Sequence, residues 1–192
     1  MKKEPRCARC EKKVCRDGID CFGLRDETAK LYDDQETIRL HRAATAIEGR
    51  HYCKEPRLRE VILFAKEMGY TKLGLAFCIG LAEEAAAIDK ILSKDFEVYS
   101  ICCKNCAINK KDFQLEQIKD DIDEYMCNPA GQADMLNRMG CEFNIICGLC
   151  VGHDALFTKF SQAPVTTLIA KDRVLGHNPT AAIYCQYIRR TF

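Results

Sequence analysis

Residues 72–103, KLGLAFCIGLAEEAAAIDKILSKDFEVYSICC, hold the pattern that decides the fold. KLGLAFC is a short, continuous apolar run after its lysine, as expected of a strand buried on both faces. LAEEAAAIDKILSK then takes helical spacing, and FEVYSICC is a second strand. A strand, a helix and another strand in that order make a right-handed crossover between parallel strands.

The alternation extends in both directions. Upstream, Pro56 stands where a helix starts, and RLREVILFAKEMG sets Leu58, Val61, Ile62, Ala65 and Met68 on one face before Gly69 closes it. Asp33 to Ile47 is a further helix, with Ile38, Ala43, Ala46 and Ile47 sharing a side. Downstream, LEQIKDDIDEYMC is weakly helical. NPAGQADMLNRMG opens on a cap and a proline and ends in Gly140. EFNIIC is a third strand, HDALFTKF a short helix, APVTTLIAK a fourth strand and NPTAAIYCQYIRR a terminal helix. The expected fold is α/β, a small doubly wound (Rossmann-like) parallel sheet of about four strands. It carries a cysteine-rich metal-binding segment over residues 1–30, and residues 31–192 form the α/β domain, whose alternating elements begin near Glu55.

Bulk composition narrows the function classes. With 47% hydrophobic and 30% charged residues the chain is ordinary for a soluble globular protein. A net charge of +1 leaves no electrostatic footprint for nucleic acid or an acidic membrane. No secretory signal precedes Cys7, and the longest apolar stretch, Leu73 to Ala82, is too short to span a bilayer. A cytoplasmic protein is expected, with a redox partner protein or a small molecule as its counterpart.

Fourteen cysteines are the anomaly. In a reducing compartment thiols stay free, and so many of them point to metal. Cys7, Cys10, Cys15 and Cys21 fall in one short loop without hydrophobic periodicity, a segment that a single metal or cluster can fold around itself. The spacing matches neither paired zinc knuckles nor the common ferredoxin patterns; an iron–sulfur cluster, 4Fe–4S, leads, with zinc as the alternative at these four.

A second group emerges when the other cysteines are placed on the predicted elements. Cys78 ends the first strand, Cys102 and Cys103 the second with Cys106 just after, and Cys147 and Cys150 the third. Cys127 stands at the mouth of a helix. The carboxyl ends of parallel strands form the ligand crevice of such sheets, so these thiols share one rim. Helix N-termini also favour the thiolate at Cys127 and Cys150. His153 and Asp154 are candidates for passing protons or tuning a centre, against the plainer reading of an early-turn acid. Cys53 is either a further ligand or buried filler. Asp172 and Arg173 add polar chemistry to the same rim, and His177-Asn178-Pro179 reads as a turn and cap. Cys141 and Cys185 are read as packing residues. No Gly-x-Gly-x-x-Gly follows the first strand, so a dinucleotide is not indicated.

FCIGL, MCNPAGQADMLN and GLCVGHDALFTKFSQAPVTTLIAKDRVLGHNPTAAIY, with the cysteine-rich opening, resemble the DUF1847 family of uncharacterised, cysteine-rich metal-binding proteins. The resemblance implies metal and matches Cys7, Cys10, Cys15, Cys21, Cys53, Cys78, Cys103, Cys127 and Cys150. Cys147 departs from it and is read as an extra thiol. The expected function is that of an iron–sulfur protein of an anaerobe or facultative anaerobe, active in electron transfer or a small redox reaction. One centre sits on the N-terminal four. The second sits on Cys78, Cys103, Cys127 and Cys150, with the choice among Cys102, Cys103 and Cys106 left open. The alternatives are a zinc-stabilised thiol enzyme using Cys150 or Cys127 for sulfur transfer or thiol redox, and a metal-binding interaction module without chemistry.

Overall fold

The computed structural model describes residues 4–119 and 121–192. The chain divides into two compact units, Met1–Glu55 and Pro56–Phe192. The first holds two short 3-10 turns at Cys7–Arg9 and Val14–Asp17, then helices α1 (Arg25–Ala29) and α2 (Gln35–His51). Asp34 caps α2 by accepting from the Thr37 N–H at 2.8 Å.

The second unit alternates α3 (Arg57–Glu67), β1 (Lys72–Phe77), α4 (Ala82–Leu92), β2 (Glu97–Cys102), α5 (Pro129–Arg138), β3 (Phe143–Cys147), α6 (His153–Phe160) and β4 (Val165–Ile169). The short helices α7 (Ala181–Tyr184) and α8 (Gln186–Arg189) follow. All four strands are parallel, in the order β2-β1-β3-β4. The connections from β1 to β2 and from β2 to β3 run in opposite directions across the sheet. Right-handed crossovers therefore put α4 on one face and α5 and α6 on the other. That is a doubly wound α/β sheet, and its order reverses between β1 and β3.

The central strands show why their sequences run apolar. Leu73, Leu75, Ala76, Ile145, Ile146 and Cys147 are essentially inaccessible, sandwiched between Ala85, Ile88 and Leu92 of α4 and Ala133 and Leu136 of α5, with Phe157 of α6. The edge strands β2 and β4 are only half-buried. At the carboxyl rim the register is tight: Phe77 pairs with Cys102 on one side and Cys147 on the other. The backbone ladder continues past the strands, because Cys103 N–H donates to Phe77 O at 2.8 Å and Cys78 N–H to Cys147 O at 3.2 Å.

Two predicted elements fail. Among the described residues of the stretch from Leu115 to Cys127 there is no helix. Asn109 and Tyr125 form an antiparallel bridge, and a Lys110–Glu124 ion pair at 2.9 Å draws the segment back on itself. Its acids, Asp120, Asp121, Asp123 and Glu124, would repel at helical spacing; Asp120 lies outside the described residues. The terminal helix is broken into α7 and α8 at Cys185, where ψ reaches 105°. Ile183, Tyr184 and Tyr187 stay exposed, so no packing offsets the cost of helix nucleation.

Candidate functional site

In the first unit the chain is folded by polar contacts around its cysteines. Cys10 N–H donates to Cys7 O at 3.1 Å and Lys13 Nζ to the same carbonyl at 2.6 Å. Asp20 accepts from the backbone N–H groups of Phe22, Gly23 and Arg25, at 3.0, 2.9 and 2.8 Å, which hold its carboxyl below the usual range and shape the turn at Cys21. Cys7, Cys10, Cys15 and Cys21 all line one cavity of about 210 Å³, whose other walls include Val14, Ile19 and Phe22. Cys53 belongs to this unit as well, exposed in the turn after α2 with φ of +55°.

In the second unit the sheet rim gathers the strand-end thiols. Cys78 follows β1 and Cys103 follows β2; both are buried. Cys127 precedes α5 and Cys150 precedes α6, each half-buried. The Cys103 and Cys127 sulfurs stand 3.9 Å apart, and Ile79 N–H donates to Cys103 Sγ at 3.3 Å. Lys171 Nζ donates to Cys78 Sγ at 3.3 Å and Arg173 Nη2 to Cys150 Sγ at 3.0 Å. Besides its bond to Cys150, Arg173 feels the charges of Cys78 and Cys127. The four sulfurs therefore share one electrostatic neighbourhood at the point where the strand order reverses, the place open parallel sheets use for ligands.

Electrostatics divides the close pair. Cys127 is pulled down to about 5, first by the hydrogen bond with Cys103 and then by the positive charge of Lys104, His153 and Lys110, against the cost of burial. Cys103 is pushed up, by the same hydrogen bond and by its burial. The neighbouring positive charges thus favour the thiolate at Cys127, and Cys103 is the weaker acid of the two. Two thiolates on one tetrahedral ion with metal–sulfur bonds of about 2.3 Å stand about 3.8 Å apart. The pair already has that spacing. Among the described residues no three His, Cys, Asp or Glu side chains converge tightly enough to hold an ion as they stand. As they stand, Cys78 and Cys150 are engaged by Lys171 and Arg173 instead.

A polar clamp fixes the pair. Asn128 N–H donates to Cys103 O at 2.8 Å, and the Asn128 side chain caps α5 by accepting from Gly131 N–H at 2.9 Å. Asn128 Nδ2 donates to Asn105 Oδ1 at 3.0 Å, while Asn105 Nδ2 donates to the carbonyls of Cys102 and Asn128, both at 3.0 Å. Gly131 is obligatory there, since a Cβ would lie 2.3 Å from Asn128 Nδ2. Fully buried Gln132 donates to Phe77 O and Ile101 O, at 3.1 and 2.7 Å, tying the ends of β1 and β2 together.

Other sequence candidates find plainer places. Cys147 is inaccessible and burial raises it to about 11. Cys141 is likewise buried and raised to about 11. Cys185 is exposed at the break between α7 and α8, not a packing residue. Cys102 is half-buried and Cys106 exposed; of the three neighbours it is Cys103 that meets Cys127. Asp154 serves its own turn, accepting from Gly152 and Ala155 N–H at 3.0 and 2.8 Å. His153 begins α6 and is close enough for its charge to act on Cys127. Asp172 accepts from Val174 and Leu175 N–H, and His177 Nδ1 accepts from Asp172 N–H, which closes the loop carrying Lys171 and Arg173. Sequence reading missed Lys171 and the Asn105–Asn128 clamp altogether.

Comparison with known proteins finds a model described as a protein of unknown function, DUF1847, matching residues 20–168. The match takes in Cys21, Cys53 and the four crevice cysteines, and leaves Cys7, Cys10 and Cys15 outside it. An uncharacterised protein of Methanocaldococcus jannaschii is 50% identical over 185 residues, covering 95% of both chains. No solved structure matches.

Proposed function

The chain belongs to the DUF1847 family, a membership that carries no activity with it, and from the chain's own residues we propose a cytoplasmic iron–sulfur protein of an anaerobe or facultative anaerobe. The observation that carries the reading is the single cavity lined by Cys7, Cys10, Cys15 and Cys21. A cluster there would draw together four thiols that line one hollow but that, as they stand, do not converge on a common point. Cys78, Cys103, Cys127 and Cys150 form the second ligand set. A bound iron–sulfur cluster gives and takes single electrons.

The surrounding residues have defined tasks. Thiolate ligation leaves a centre anionic, and Lys171 and Arg173 place two positive charges against the crevice sulfurs. Ile79 N–H supplies a hydrogen bond to Cys103. His153 brings an imidazole ring to the start of α6, within electrostatic reach of Cys127. A redox partner protein or a small molecule approaches along the strand-end rim.

One observation favours a second reading. The depressed Cys127 thiol suits a nucleophile, and zinc on the N-terminal four would then stabilise a thiol enzyme for sulfur transfer or thiol redox. Serine substitutions at Cys78, Cys103, Cys127 and Cys150, each reconstituted anaerobically with iron and sulfide, separate the two. A crevice cluster loses its visible absorption and paramagnetic signal with any of the four, while the N-terminal signal survives. Unchanged iron and sulfide content in all four variants refutes the crevice centre, and a defect confined to Cys127→Ser favours the nucleophile.

A further inference from the structure

The pair at the mouth of α5 has a second possible fate that metal ligation does not use. We propose that Cys103 and Cys127 are a reversible dithiol–disulfide couple, with Cys127 the attacking sulfur and Cys103 the resolving one. The couple needs no metal. Its regulatory consequence, that oxidation withdraws two sulfurs from the crevice and blocks loading there, rests on the crevice reading above.

Three observations carry it. The sulfurs are in contact at 3.9 Å, so a bond of about 2.05 Å requires an approach of under about 2 Å. The backbones are tied at the same point by the Asn128 N–H to Cys103 O bond and the Asn105–Asn128 pair, so the closeness is built by the fold. The two thiols are also unequal in access. Cys103 is 2% exposed, whereas Cys127 is half-buried and open to a small reagent. An external oxidant therefore meets Cys127 before the buried Cys103.

The oxidant class is a small-molecule disulfide. The Cys127 thiolate attacks one of its sulfurs; that disulfide bond breaks, one thiolate leaves and takes a proton from solvent, and a mixed disulfide remains on Cys127. The Cys103 thiol then gives up its proton and attacks the Cys127 sulfur, expelling the second small thiol. The cysteine pair loses two electrons, and the external disulfide becomes two thiols. In the reverse direction, a small thiol attacks Cys127 and Cys103 is the leaving sulfur, where Ile79 N–H at 3.3 Å receives its developing charge.

The test uses the full chain, stripped of metal by a chelator, reduced, and equilibrated with mixtures of reduced and oxidised glutathione. Samples are acid-quenched, alkylated and mapped by peptide mass. The expected result is a Cys103–Cys127 crosslink that forms before any other and disappears with excess thiol. Cys103→Ser should trap glutathione on Cys127 at near-stoichiometric level, and Cys127→Ser should leave Cys103 unmodified. A crosslink that never forms while other cysteines oxidise overturns the couple. Iron and sulfide loading of the oxidised and reduced chains supplies the second arm. Loading of the N-terminal centre alone in the oxidised chain, and of both centres in the reduced chain, supports the whole proposal. Equal loading of both forms overturns its regulatory part. A crosslink in a chain whose reduced form never loads the crevice overturns the metal reading there and leaves the couple standing.

Discussion

The depressed Cys127 thiol makes a rate prediction whose sign changes with pH. Cys127 sits at about 5 against an ordinary value of 9.0. At pH 6 its thiolate fraction is about 0.9, against about 0.001 for an ordinary cysteine, roughly a 900-fold advantage. A weaker base is also a weaker nucleophile: with a Brønsted coefficient of about 0.45 the same displacement costs roughly 60-fold in intrinsic reactivity. Cys127 should therefore alkylate about 15-fold faster than a free cysteine peptide at pH 6. At pH 8 the thiolate advantage shrinks to about 10-fold while the nucleophilicity penalty stays, so the order inverts and Cys127 becomes about 6-fold slower. Partial burial slows Cys127 at every pH alike, so the shape of the profile is the readout. The assay is timed iodoacetamide labelling of the metal-free, reduced chain, with Cys127 quantified by peptide mass. The expected profile is flat from pH 6 upward. A rate climbing tenfold per pH unit to pH 8 refutes the depressed Cys127 thiol.

Three further outcomes follow from packing and burial. Gly131→Ala gains helix propensity but drives a methyl into Asn128 and Asn105, and the net loss is about 2 kcal/mol by urea denaturation, with the Cys103–Cys127 crosslink suppressed; equal or higher stability would contradict the clamp. Gly148→Ala meets Leu81 Cδ1 at 2.6 Å in a left-handed backbone with φ of +66°, costing about 2 kcal/mol or more, and a neutral result would show the rim relaxes freely. Cys141 and Cys147 are raised to about 11 in the fold, so the native state keeps protons that the unfolded chain loses above about pH 9. Their contribution is full below that pH and is lost as pH rises through 11. The urea midpoint of the metal-free chain should fall over that window, and less steeply in Cys147→Val.

The sheet was legible because its central strands are buried on both faces, a condition that leaves a continuous apolar run in β1 and β3 with little room for polar residues. Those strands in turn placed Cys78, Cys102, Cys103, Cys147 and Cys150 on one rim, and the helix after Cys127 added a further thiol there. What sequence could not supply is which neighbour turns inward. Cys102 and Cys103 are adjacent, and it is the pairing of Asn128 with the Cys103 carbonyl that brings Cys103 to Cys127. Lys171 was invisible because a lysine after a strand reads as a solvated charge, and no local signal marks its reach across to Cys78. The segment from Leu115 to Cys127 misled because its weak apolar spacing competes with a bridge closed from Asn109, far outside any local window.

The most direct test of the central claim is to purify the full chain without oxygen and count iron, zinc and acid-labile sulfide per molecule. The account predicts iron and sulfide in excess of a single four-iron cluster, since two cysteine sets are available to hold them. Zinc near one per chain, with neither iron nor sulfide, would contradict it.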